Sequence, residues 1–152
     1  MNKRGAKQPS ERTRSAGYSL VELLVTVGLV GLLAAIAVPS YQDSVRRTQR
    51  TDAYAALATV ADALEQAYIN QTAPRAYPTN IAALGLSATS EAGYYDLTVS
   101  ACDAGTLADC YKINATARND GPQWKDTDCR SLTVDSRGGR TSSPDSSGCW
   151  RK

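Results

Sequence analysis

A chain of 152 residues has room for one ordinary domain and little beyond it. Hydrophobic residues at 42% and charged residues at 21% exclude a disordered or collagen-like polymer. The formal net charge of +2 belongs to residues 1–17, which hold five basic groups and one acid; the rest is slightly acidic and offers nucleic acid no electrostatic footprint.

The first segment, residues 1–17, carries Lys3, Arg4, Lys7, Arg12 and Arg14 with no hydrophobic periodicity, and reads as a basic leader. Residues 18–38 follow, predominantly apolar with Glu22 as the single charge, and Pro39 comes next. About 20 helical residues span roughly 30 Å, one bilayer core. The excess of Lys and Arg ahead of the span predicts a cytoplasmic N-terminus. Glu22 points to function, because a carboxylate in an apolar span is costly. Ala35-Ile36-Ala37 would suit an ordinary secretory cleavage before Val38. The apolar stretch is too long for that reading, and Glu22 interrupts its start.

Beyond Pro39 a helical pattern resumes. Tyr54, Leu57, Ala61, Leu64 and Tyr68 make one apolar stripe, with Asp52, Thr59, Asp62, Glu65 and Gln66 on the other faces. Residues 39–71 are thus the amphipathic half of one long helix, and residues 18–38 the half that is apolar all round. Arg46, Arg47 and Arg50 read as a polar shoulder of this helix just outside the membrane, in preference to a lipid-phosphate or DNA contact.

Residues 72–152 form the head. A connection over residues 72–92, with a helical turn at Ile81-Ala-Ala-Leu84, leads to three alternating runs: Tyr95/Leu97/Val99, Tyr111/Ile113/Ala115 and Leu132/Val134. Gly138-Gly139 marks a turn after the third. The spacing leaves no room for crossover helices, so the sheet is antiparallel. The expected fold class is α+β, a long helix packed on a small sheet of about four strands.

The chain has no His and no close Cys pair, so Cys102, Cys110, Cys129 and Cys149 read as two disulfides formed in an oxidising compartment, with three connectivities open. Without His, a Ser-His-Asp or Cys-His arrangement is excluded, and no phosphate-binding glycine loop is present. No enzyme, cofactor or metal site is expected. Asp126 and Asp128 lack the rest of a calcium loop and read as a solvated acidic loop.

Gly17-Tyr18-Ser19-Leu20-Val21-Glu22, then Gly28 and Gly31 through Pro39-Ser40-Tyr41, resembles the class III signal and N-terminal helix of type IV pilins. Tyr18 stands where that family usually has Phe. A looser likeness runs through Tyr77-Pro78-Thr79, Asp128-Cys129 and Cys149-Trp150, closer to a PilE-type minor pilin than to a major one. The resemblance implies the type IV pilin fold and a non-catalytic structural role. It implies a prepilin peptidase that cuts between Gly17 and Tyr18 and methylates the new Tyr18 amine. Glu22 would face the N-terminal amine of a neighbouring subunit, and Gly28, Gly31 and Pro39 would loosen the helix on assembly. Of the open connectivities, Cys102–Cys110 is favoured as closing the connection between two neighbouring strands, and Cys129–Cys149 as pinning the C-terminal segment to the sheet, which the resemblance implies. The implied partners are other pilin subunits, the peptidase, the inner-membrane assembly machinery and, before assembly, membrane lipid. The implied location is the inner membrane with a periplasmic head, then the extracellular pilus. Pilus assembly, twitching motility or adhesion is the expected role. The alternatives are a type II secretion pseudopilin and a DNA-binding pilin of an uptake pilus. Nine basic and nine acidic residues in the head tell against DNA.

Overall fold

The protein's structure, a computed structural model, describes residues 17–144 and 148–150. Of the basic leader only Gly17 falls among them. Helix α1 spans Leu20–Ile69, 50 residues. It contributes to both compact units of the chain, the first ending at Ser40 and the second beginning at Tyr41.

In the first unit α1 is exposed along its whole length. Its large side chains from Leu20 to Val38 are all more than half exposed, as expected of a helix that is apolar all round. Pro39 lies within the helix and cannot donate a backbone hydrogen bond, so the carbonyl four residues back, that of Ala35, loses its usual partner.

In the second unit α1 is rich in alanine, the best helix former, at Ala53, Ala55, Ala56, Ala58, Ala61, Ala63 and Ala67. One stripe is buried: Arg50, Ala53, Leu57, Val60 and Leu64. The expected stripe shared only Leu57 and Leu64 with it; Tyr54, Ala61 and Tyr68 flank it half-buried. The reason is steric and polar. Ala53 lets the helix approach the sheet, whereas the two tyrosines need an outlet for their hydroxyls, and find it at backbone carbonyls. Each fully buried leucine contributes about 1.5–3 kcal/mol. The helix stops at Ile69 with a tightened bond from the Gln71 amide to the Tyr68 carbonyl, and Pro74 follows.

The sheet is a four-stranded antiparallel meander in chain order. Strand β1 is Tyr95–Ala101, β2 Tyr111–Ala117, β3 Ser131–Asp135 and β4 Arg140–Ser143. The register pairs Leu97 with Ala115, Val99 with Ile113, and Ala115 with Leu132. All of these, with Tyr95 and Tyr111, are buried in one core with the α1 stripe and Ile81. On the opposite face the Asn114 side chain accepts hydrogen bonds from Ser131 and Thr133. Ile81 comes from a 3-10 turn, Ile81–Leu84, capped by Asn80 and ended by Gly85 in the left-handed region. The turn between β3 and β4 uses Gly138 at φ 84°, with Asp135 accepting from the Arg137 and Gly139 amides. A side chain at Gly139 would run into that carboxylate.

Candidate functional site: an exposed apolar helix and a clasped C-terminus

Two features stand out, one in each unit. The first is the N-terminal end of α1. Tyr18 is 82% exposed, and the Ser19 carbonyl accepts the first helical bond, from the Leu23 amide at 3.1 Å. Glu22 lies in the first turn, where the free amides of the helix end favour a carboxylate. Gly28 and Gly31 have open space where a side chain would stand. Thr26, a polar residue in this run, turns its hydroxyl onto the Leu23 carbonyl at 2.9 Å and so hides its donor. An apolar rod with one carboxylate near its end can bury itself in lipid or among copies of similar helices, and in either setting Glu22 requires a partner.

The second feature ties residues 148–150 to the rest of the head. Arg50 meets Asp126 as a two-pronged fork, Nε to Oδ2 at 2.6 Å and Nη2 to Oδ1 at 2.8 Å, with both side chains at most 10% exposed. Gln123 donates to the same carboxylate at 2.7 Å, and the third arm of Arg50 reaches the Gly148 carbonyl at 3.0 Å. The hydrogen bonds it donates to Asp126 hold the Arg50 guanidinium above its ordinary pKa, against the opposing effect of burial. Next along the chain, the Tyr54 hydroxyl donates to the Cys149 carbonyl. The Tyr54 and Trp150 rings stack at 5.4 Å, and the Trp150 indole donates to the Thr141 carbonyl at 3.1 Å. A disulfide joins Cys149 to Cys129, both buried, with Cα atoms 5.5 Å apart. The other disulfide, Cys102 to Cys110, closes the connection from β1 to β2.

This clasp corrects two expectations. Asp126 is not part of a solvated loop: it is buried as the counter-charge of Arg50, while Asp128 is exposed. Arg50 likewise departs from the polar shoulder, where Arg46 is half-buried and Arg47 exposed. A signal for this was present, since Arg50 is on the stripe 50, 53, 57, 60, 64, and a charge on an apolar stripe demands an opposite charge across the core. Among the described residues no cluster of three or more His, Cys, Asp or Glu could hold a metal.

Elsewhere in the head, Tyr77 stacks on Tyr68 with ring centres 4.4 Å apart and meets Tyr111 edge-on at 4.7 Å. Burial, then the charge of Glu65, pushes the Tyr111 phenol well above its ordinary range; burial, then Asp126, does the same to Tyr95. Two arginines lie over indole rings, Arg130 on Trp124 at 4.3 Å and Arg140 on Trp150 at 5.6 Å.

The chain matches two family models that meet at Pro39. Residues 12–38 match the prokaryotic N-terminal methylation motif. Residues 39–133 match a family described as type IV minor pilin ComP, DNA uptake sequence receptor. Similar proteins include the fimbrial protein EcpC of Eikenella corrodens, 33% identical over 69% of this chain and 64% of that protein. A fimbrial protein of Neisseria meningitidis serogroup B is 33% identical over 52% of this chain and 45% of the relative. One from Pseudomonas aeruginosa is 43% identical over 35% of this chain and 34% of its own length. The chain therefore spans less than two thirds of each of these relatives.

Proposed function

We propose that this chain, which belongs to the type IV minor pilin family matched over residues 39–133, is a membrane-anchored subunit assembled into a pilus through its N-terminal helix. In this reading a prepilin peptidase cuts between Gly17 and Tyr18 and methylates the Tyr18 amine. Glu22 then pairs with the amine of a neighbouring subunit, and Gly28, Gly31 and Pro39 supply the loosening that packing into a filament requires. The head faces the periplasm before assembly, where its two disulfides form. Its role is structural and not catalytic.

The observation that carries the reading is the methylation-motif match ending at residue 38, over a helix whose apolar side chains are exposed on every side. Such a surface is stable in water only when lipid or other helices cover it. Intact-mass measurement of the membrane fraction, with and without reductant, tests it. Residues 18–152 with one methyl group, gaining four hydrogens on reduction, is the expected product. A product starting at Val38 would mean ordinary secretion and would end the assembly argument.

A second reading has a specific observation behind it. The family description names a DNA uptake sequence receptor, and the Trp124–Arg130 and Trp150–Arg140 pairs present aromatic and cationic groups side by side. Detergent-solubilised full-length protein that retards duplex DNA, less so as salt rises, would support it. No retardation at low salt would leave the structural role alone.

A further inference from the structure

The cationic shoulder of α1 finds no use in the reading above, yet it lies where the apolar run ends. Tyr41, 72% exposed, follows Pro39 by two residues. Within the second unit a groove of about 260 Å³ opens beside it. Tyr41, Val45, Arg46 and Gln49 of α1 form one wall, and Pro122 and Lys125 of the second 3-10 turn, Pro122–Lys125, form the other. The turn is fixed there: the Gln123 side chain reaches the Arg46 carbonyl at 3.5 Å, and Asp126, just past the turn, is held by Arg50. The groove is therefore built in advance of any ligand.

Its chemistry is graded. Tyr41, Val45 and Pro122 supply apolar surface, and Arg46 and Lys125 stand over it with exposed Arg47 alongside. Opposing charges are few. Asp43 pairs with Arg46 at 3.2 Å but is itself largely exposed, Asp128 is exposed, and Asp126 is consumed by Arg50. Side chains on a helix lean toward its N-terminus, so Arg46 and Arg47 lean back toward the level of Tyr41. Six residues of helical rise from Tyr41 to Arg47 cover about 9 Å, comparable to a headgroup layer. Tyrosine at the boundary with arginine and lysine reaching to the phosphates is the pattern that membrane interfaces favour.

We propose that this groove binds the phosphate of an acidic phospholipid in the leaflet beneath the head, holding the unassembled subunit at a set depth. The proposal rests on the membrane-anchored reading. A second copy of the chain or a nucleic acid suits the groove less well, because its apolar wall continues in sequence from the membrane run.

Trp124, 39% exposed in the same turn, is the reporter. Full-length Trp150→Phe protein is reconstituted into vesicles of phosphatidylcholine alone or mixed with phosphatidylglycerol, and flotation establishes insertion. Quenching of Trp124 by a headgroup-labelled lipid should rise by about twofold when phosphatidylglycerol is present and fall again in high salt. Arg46→Gln with Arg47→Gln and Lys125→Gln should abolish the rise, and Asp43→Asn should enlarge it. Trp124→Phe, retaining Trp150, should show no response. Equal quenching in both lipids by protein that floats, or a rise that survives the triple substitution, would overturn the proposal while leaving the anchor intact. The same change produced by inorganic phosphate in neutral vesicles would make this a free-anion site and would also overturn it. Protein that floats with neither vesicle would defeat the anchored reading, and this one with it.

Discussion

Arg50 and Asp126 are each other's counter-charge in the core, so removing one leaves the other's charge buried and unbalanced. Asp126→Ala should lower head stability by about 3–5 kcal/mol, measured by denaturant unfolding, because a buried guanidinium is left without its counter-charge. Arg50→Met with Asp126→Leu should recover most of that loss, and failure to recover would mean that the link to Gly148 matters more than the charge pair. At the other end, Glu22→Ala should still be cut after Gly17 and yet enter fibres poorly; normal incorporation in a sheared-pilus assay would remove Glu22 from the assembly model. A bulky residue at Gly17 should block processing, visible as retained leader mass. Glu22 could be picked out of the sequence because it is an isolated charge in a long apolar run. Arg50 could not be picked out as easily, since it sits beside Arg46 and Arg47 and its partner is 76 residues away.

Helix α1 and the sheet differ in how openly their sequences announce them. The helix is legible because its hydrophobic pattern is long, and β1 and β2 because each alternates cleanly between buried and outward residues over seven positions. Strand β4, Arg140-Thr-Ser-Ser143, has no apolar residue; it is a strand because β3 pairs with it and the Gly138-Gly139 turn folds it back. Its polar character suits an edge, where an apolar strand would invite pairing with another chain. In α1, Pro39 leaves the Ala35 carbonyl without its helical donor. Pro39→Ala should therefore slow amide hydrogen exchange in the turns around Ala35, and unchanged exchange would argue against a weak point there.

The head as a whole is a thin layer of helix on a single small sheet, so its cross-links and buried phenols weigh heavily. Replacing Cys129 and Cys149 together by Ser should lower stability by about 3 kcal/mol, read as a fall in Tm of the head. Tyr95 gives a pH limit. Its ordinary pKa is 10.0 and burial raises it when folded, so the unfolded chain loses this proton first. Stability is complete below pH 10 and declines above it, by about 1.4 kcal/mol at pH 11 from this residue alone. Tyr111 adds in the same direction, and a head equally stable at pH 8 and pH 11 would contradict the burial of both. The disulfide pattern carries one more consequence. In chain order the first cysteine is bonded to the second and the third to the fourth, Cys102 to Cys110 and Cys129 to Cys149. If the head crosses a membrane in chain order behind its N-terminal helix, each thiol meets its correct mate before any competitor emerges. Simple vectorial oxidation is sufficient for this pattern, so cells lacking a disulfide isomerase, but not those lacking a thiol oxidase, should still produce the mature head.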